Sequence, residues 1–392
     1  MNSVFILGAG ASVHARIPTM LAFLEVVEDI QRSRHDPDFD LVVRGRSELA
    51  AVHSKSRFDV RNLESVFAAF EMAGVFGHLG QLPGPVVPTL APALRRVIVA
   101  TLEQRMILKL SGGAILPTDQ YSSFAALIGE LRERDEGVSI ITFNYDVGLD
   151  LALRFHGFQP DYCLSDTPLL SSKAPGPVEL MKLHGSVNWT QCSKCRKEIL
   201  YVPMDAAVLA RESQWRLEGG RMTKSTSLAE RLPTTQFRCG ADLADLVHCG
   251  GRNSNAEPFI VPPTDDKGGI RALLSPVWRR AAARLREADN IFVIGYSWPN
   301  SDEFFRSLYA LGTVGNRILR KFWVFNPDPS VRARFERDLL GPQAIERLGR
   351  TADFDVTFDR AIEWICVAAF EMSPEKIHNR VQRQQRVAEG FN

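Results

Sequence analysis

The stretch Val4-Phe5-Ile6-Leu7-Gly8-Ala9-Gly10-Ala11-Ser12 constrains this chain more than any other. Four apolar residues run directly into a Gly-x-Gly-x-Ser turn, and a helical pattern on Leu21, Leu24 and Val27 follows. A short apolar run closed by glycine reads as a buried strand, and the spacing after it predicts a helix. Gly8 and Gly10 allow the backbone to approach a ligand closely. The helix start that follows would offer unpaired N–H groups and a positive dipole end, suited to a phosphate. Ser12 adds a hydroxyl. The dehydrogenase fingerprint requires Gly or Ala three residues beyond the second Gly. Val13 stands there, and no acidic residue closes a second strand about 20 residues on. The turn points to a dinucleotide pocket of another kind.

The chain has 392 residues, room for one large domain or two moderate ones. It is 45% hydrophobic and 24% charged, the balance of a globular protein with a real core. Lys and Arg number 47 against 46 Asp and Glu, so no global basicity argues for direct nucleic-acid binding. No window approaches 18 uninterrupted apolar residues, and the N-terminus enters a core strand without a signal-peptide layout. Six cysteines in so long a chain favour a reducing cytoplasm over a disulfide scaffold.

Along the chain, Arg34 to Arg46 reads as a charged, turn-rich stretch. Asn62 to Met72 and Ala93 to Leu110 read as helices separated by a Pro/Gly loop. Together they predict a helical insertion over about 35–115. Val138 to Phe143, Ile291 to Ile294 and Phe322 to Phe325 are apolar runs of strand length, and helical patterns alternate with them. That alternation predicts an α/β fold: a Rossmann-like, mainly parallel sheet with helices on both faces. Ligands of such sheets bind beyond the carboxyl ends of the strands. The polar residues of interest all stand there: Asn144 and Asp146, His184, Gly295 and Ser297, and Asn326.

In their order, Gly8-Ala9-Gly10-Ala11-Ser12, Phe143-Asn144-Tyr145-Asp146, Leu183-His184-Gly185-Ser186-Val187-Asn188-Trp189, Gly295-Tyr296-Ser297 and Phe325-Asn326 resemble the sirtuin fold. They are most similar to its bacterial antiphage-defence branch, the sirtuin-like NAD hydrolases, as is the Asn62-Leu63-Glu64 start of the insertion. The resemblance implies a catalytic domain over 1–330 and a C-terminal helical extension over 331–392, with a charged tail from Glu375. It implies Asn144 and His184 as the catalytic pair. Gly8, Ala9, Gly10, Ser12, Asp146, Gly295, Ser297 and Asn326 would hold NAD. One departure is Arg16-Ile17-Pro18-Thr19-Met20: the acidic and arginine positions that deacetylating sirtuins carry after Ile-Pro are absent.

The chemistry is readable from the residues as well. The nicotinamide of NAD is a cationic leaving group and needs no general acid. A site must stabilise an oxocarbenium-like sugar and direct the attacking group. Asn144 can orient a carboxamide or a water, and His184 can accept a proton near neutral pH. A histidine tied to a backbone carbonyl and ordinary turn chemistry at Asn144 and Asp146 are the structural alternatives.

Cys192-Ser193-Lys194-Cys195 is a Cys-x-x-Cys knuckle, and Cys239 and Cys249 each precede a glycine. Four thiolates suit a structural zinc ion, with His248 as a substitute for Cys239. Sirtuins carry their zinc ribbon at this position, here about 189–255. An emptied ribbon with leftover thiols is the alternative. Cys163 and Cys366 read as buried thiols.

The expected activity is hydrolysis of NAD to nicotinamide and ADP-ribose. An NAD-dependent protein deacylase and a non-catalytic sensor of NAD or an ADP-ribose derivative are the competing readings. Against the deacylase, Phe259-Ile260-Val261-Pro262-Pro263 replaces the segment that pairs with a substrate peptide. Prolines there remove backbone donors. The resemblance further implies a homo-oligomer and a separately encoded partner, such as a helicase-like ATPase or an Argonaute protein.

Overall fold

The computed structural model describes residues 1–33, 36–51, 58–111, 114–165, 176–202, 204, 215–218, 221–224, 234–236, 243, 246–253, 257–261, 270–298, 303–312, 319–338, 352–354 and 356–388. Its centre is a seven-stranded sheet. The strands are β1 (Asn2–Leu7), β2 (Gly137–Thr142), β3 (Pro160–Asp161), β4 (Val178–Lys182), β5 (Asn290–Ile294), β6 (Lys321–Phe325) and β7 (Ala352–Phe354). Their order is β7-β6-β5-β1-β2-β4-β3, and every neighbouring pair is parallel. Both faces are covered by helices, which is why Val4 to Leu7 of β1 and Ile291 to Ile294 of β5 are apolar without alternation. Phe5, centrally placed, packs edge-on to Phe124 of the helix Asp119–Glu133, with ring centroids 5.2 Å apart.

The register fixes where chemistry can gather. Leu7 lies beside both Thr142 and Ile294, Thr142 beside Lys182, and Ile294 beside Phe325. The carboxyl ends of five strands are therefore level. Chain order reverses around β1, whose neighbours are β2 and β5, so the crevice beyond Leu7 is a topological switch point.

The insertion contains helices Pro37–Ala51, Leu63–Phe76 and Leu90–Arg105, and a second core forms around Phe39, Phe67, Phe70 and Leu94. Two expectations change here. The charged stretch before Arg46 is helical: Phe39, Val42 and Leu49 are buried, and Asp38 and Asp40 sit in the first turn, where the helix dipole favours them. The helix expected to reach Leu110 stops at Arg105, and a strand begins at Ile107. Asn62 caps Leu63–Phe76 by accepting the N–H groups of Glu64 (2.9 Å) and Ser65 (3.3 Å).

The charged tail expected from Glu375 is a helix, Pro374–Ala388. Its buried Ile377 and Val381 supply the apolar stripe, and Arg380 pairs with Glu130 (3.1 Å) and Glu133 (2.7 Å). Residues 331–392 also supply strand β7 and the helix Phe358–Trp364. No helix among the described residues is long and apolar enough to cross a membrane.

Candidate functional site

Beyond the level strand ends lies a cavity of about 1070 Å³, roomy enough for a dinucleotide. Asn144, His184, Gly295, Ser297 and Asn326 line it, one group from each of four strand ends, together with Ala9 and Gly10 from the turn after β1. Its outer wall includes Asn62 and Glu64 from the insertion. Phe358 and Asp359 of the C-terminal segment also line it.

The turn after β1 differs from expectation. It is a 3₁₀ helix, Ala9–Ala15, and its glycines serve another turn before they serve a ligand. Gly10 N–H donates to Gly295 O at 2.9 Å, and Gly8 N–H donates to Ile294 O at 3.1 Å. A Cβ at Gly8 would stand 2.5 Å from Tyr296 Cα, and one at Gly10 2.8 Å from Gly295 Cα. Gly295 itself has φ +63°, a left-handed conformation that glycine adopts without strain. The two glycine turns interlock and form the cavity floor. Over it, Phe143 and Tyr296 stack with centroids 4.1 Å apart and planes 4° from parallel.

Ser12 and Asp146 do not line the cavity; both are buried behind Asn144. Ser12 Oγ donates to Asp146 Oδ2 at 2.7 Å, and Asp146 Oδ1 accepts the N–H of Gly148 at 2.9 Å. A carboxylate only accepts, so the single Ser12 proton is committed to it. Ser12 Oγ must then accept from its other neighbours. Tyr121 OH lies 2.7 Å away and Asn144 Nδ2 2.8 Å away. Burial, aided by the Asp146 carboxylate, pushes the Tyr121 phenol well above its ordinary pKa and keeps it a donor. Asn144 Nδ2 also donates to Gly8 O at 2.9 Å. Both amide hydrogens are thus used, and Oδ1 is the atom Asn144 can present to the cavity.

His184 is buried and packs edge-on to Phe143, with centroids 5.2 Å apart. Its carbonyl accepts the N–H of Val261 at 2.9 Å. Gly185 follows at φ +82°, and a Cβ there would lie 2.1 Å from Phe259 O. Only glycine can leave this strand end and begin the next strand, Gly185–Gln191, against Pro258–Ile260.

Sequence patterns missed three contributors. Tyr121 lies 109 residues from Ser12 and carries no local signal. Phe358, on the other side of the sheet's chain order, packs against His14 and Tyr121. His14 lines the cavity, and burial, opposed by the Asp359 carboxylate, lowers its imidazole to about 4.

A second cluster lies on the strand system that begins at Gly185. Ligand atoms of Cys192, Cys195, His248 and Cys249 lie within 4.8 Å of one another. His248 Nδ1 is 3.2 Å from Cys192 Sγ, 3.1 Å from Cys249 Sγ and 3.9 Å from Cys195 Sγ. Zinc with bonds of about 2.0–2.3 Å in tetrahedral geometry sets ligand–ligand separations of roughly 3.5–3.8 Å. The donor set fits zinc. Among the described residues His248 stands as the fourth member of the cluster; Cys239, expected as a ligand, lies outside the described residues, as do Pro262 and Pro263. Cys163 and Cys366 are buried thiols; burial raises Cys366 to about 12 and pushes Cys163 well above the ordinary thiol range.

No family model matches the chain, and no curated protein matches it. Among solved structures it is similar to a Sir2 homolog–NAD complex, at 15% identity over 98% of this chain and 90% of that one, with a TM-score of 0.37. It is also similar to a Sir2–p53 peptide–NAD+ complex (12% identity, 94% of this chain and 93% of that one, TM-score 0.38). A Sir2 bound to acetylated peptide is similar at 13% identity over 95% of this chain and 94% of that one, with a TM-score of 0.39.

Proposed function

We propose that the protein is an NAD+ glycohydrolase that cleaves NAD+ with water to nicotinamide, ADP-ribose and a proton. The observation that carries this reading is the fixed amide of Asn144, which turns an oxygen into a dinucleotide-sized cavity beside a buried histidine.

The C1′–N bond breaks with its electron pair leaving on the nicotinamide nitrogen, which becomes neutral. The sugar carries the positive charge. Asn144 Oδ1 stabilises that charge or accepts a hydrogen bond from the attacking water, and the preset amide needs no reorganisation as charge develops. His184 accepts a proton from the water or from a ribose hydroxyl. Gly295, Ser297 and Asn326 hold the dinucleotide over the interlocked turns. Ala9 and Gly10 face its phosphates. Gly8, Ser12 and Asp146 act one layer down, by orienting Asn144.

Water is the nucleophile because Pro262 and Pro263 lack the N–H groups that would align a peptide strand. Residues 1–330 form the catalytic unit in this reading, and the segment 331–392 closes one side of the cavity through Phe358. The zinc-binding residues brace the strands that follow His184. A cytoplasmic antiphage role, with control by self-assembly or by a separately encoded partner, agrees with a reaction that depletes NAD.

The test is to incubate purified protein with NAD+, alone and with the product of its genomic neighbour, and to chromatograph the products. Nicotinamide and ADP-ribose in equal amounts, without any peptide, are expected. Nicotinamide release that requires an acetyl-lysine peptide, one for one with deacetylated product, would establish the deacylase instead.

A further inference from the structure

Lys182, the last residue of β4, is a cation buried to 1% exposure in the core beneath the cavity. Its ammonium donates to Asp146 O at 2.7 Å and to Ser186 Oγ at 2.8 Å. It also lies 2.8 Å from Asp150 Oδ2, in the helix Gly148–Phe155, as a fully buried ion pair. Asp146 belongs to the turn that carries Asn144, and Ser186 to the strand that begins directly after the turn of His184. One ammonium therefore links the two segments.

The surrounding groups complete the arrangement. Ser186 Oγ donates to Asn188 Oδ1 at 2.6 Å, with Tyr145 O 3.2 Å from the same hydroxyl. Asn188 Nδ2 donates to Tyr162 OH at 3.1 Å and to Val202 O at 2.9 Å. Tyr162 OH donates to Asp150 Oδ1 at 2.5 Å. Backbone bonds from Leu183 N to Thr142 O (3.0 Å) and Val187 N to Tyr145 O (3.0 Å) run alongside. A buried ion pair is a poor source of net stability, but a satisfied one admits few alternative geometries. Burying a lysine at a strand end has a cost that simple packing would avoid with leucine or methionine.

We propose that Lys182 is a positioning residue: its ammonium, held by Asp150, sets the turn of Asn144 and the turn of His184 in one fixed relation. This rests on the reading of those two residues as the catalytic pair. Lys182 touches neither cavity nor substrate, so its removal should lower turnover and leave dinucleotide binding nearly intact.

The test compares wild type with Lys182→Met/Asp150→Asn, which removes both charges and keeps the volumes, and with the milder Ser186→Ala. For the double variant the expected kcat is lower by about 10- to 100-fold, the scale of a small misplacement of reacting groups. KM for NAD+ should stay within about threefold. Hydrogen exchange of peptides spanning 143–148 and 183–188 should be about tenfold faster, with the melting temperature within about 5 °C of wild type. Ser186→Ala should show the same pattern more weakly, and it decides the matter if the double variant does not fold. Wild-type kcat together with wild-type exchange in a folded variant would overturn the proposal. Exchange reads the relation of the two turns without turnover. A wild-type protein that cleaves no NAD+ would sink the functional reading alone, and faster exchange in the variants would still support the positioning role.

Discussion

Asn144 Nδ2 lies 2.8 Å from Ser12 Oγ, and that contact decides which end of the amide meets the cavity. The decision originates at Asp146, whose carboxylate accepts the hydrogen bond of the Ser12 hydroxyl. Ser12→Ala should free the amide to rotate and lower kcat by about 10- to 100-fold, with a smaller change in KM. It should also cost about 1–3 kcal/mol of stability, because Asp146 and Tyr121 each lose a buried partner. Tyr121→Phe is the control: a similar or smaller stability loss, with the amide still set by Asp146 and Ser12 and kcat within about threefold of wild type. Steady-state kinetics and melting curves on both variants check this.

Asn144→Ala and His184→Ala should each reduce nicotinamide release by about 10²- to 10⁴-fold, the usual range for a positioned proton acceptor or a preset dipole. ADP-ribose affinity, measured by calorimetry, should change far less. Activity that survives both substitutions would remove these residues from the chemistry.

Acid should destabilise the fold before the carboxylates titrate. Burial holds His14 at about 4, and burial together with Arg380 holds His156 at about 4. An unfolded histidine titrates near 6.5, so between pH 6.5 and 4 the unfolded chain binds more protons than the folded one. Stability is therefore unaffected by these groups above pH 6.5 and falls as pH drops through that window, by up to about 3 kcal/mol for each. Melting temperature against pH should show the decline, and His156→Phe should flatten it, with Ser122 losing its 2.8 Å partner as an offsetting cost.

Metal analysis of protein purified without chelator should find about one zinc per chain. Cys192→Ser and His248→Ala should each lose the metal and lower the melting temperature. Cys239→Ser should retain it, because His248 already stands within 3.2 Å of Cys192 and Cys249 sulfur. Loss of zinc in Cys239→Ser would return Cys239 to the ligand set.

The strands of the central sheet were legible because Val4 to Leu7, Val138 to Phe143 and Ile291 to Ile294 are apolar beyond what a surface segment tolerates. The positions of Asn144, His184, Gly295 and Asn326 followed from the rule about strand ends. Pro37–Ala51 was hidden by its charges, although Phe39, Val42 and Leu49 carry a helical stripe beneath them. The helix Pro374–Ala388 was harder still, since it buries only Ile377 and Val381 and is held by Arg380 to glutamates some 250 residues away. Gly8 and Gly10 were read as room for a ligand, whereas the group that approaches them in the folded chain is the Gly295-Tyr296 turn. Lys182 left a trace in the sequence, a lone charge in the run Leu180-Met181-Lys182-Leu183. A charge at such a place signals a buried partner, and Asp150 is it.

Strand β1 lies in the middle of the sheet, yet Asn290, which faces its Ser3, is 287 residues later in the chain. At translation speeds of about 5–20 residues per second, that interval is roughly 15–60 s. Throughout it, one edge of Val4 to Leu7 has no native neighbour, and the Gly10 turn has nothing to lock against. Parallel pairing across such separations is slow and leaves the nascent chain exposed to aggregation, which makes chaperone binding to β1 an expected part of its biogenesis. Until the ribosome has passed Gly295 the cavity has no floor, and until it has passed Asn326 only part of its wall, so on the proposed reading the nascent chain is inert toward its dinucleotide for that interval.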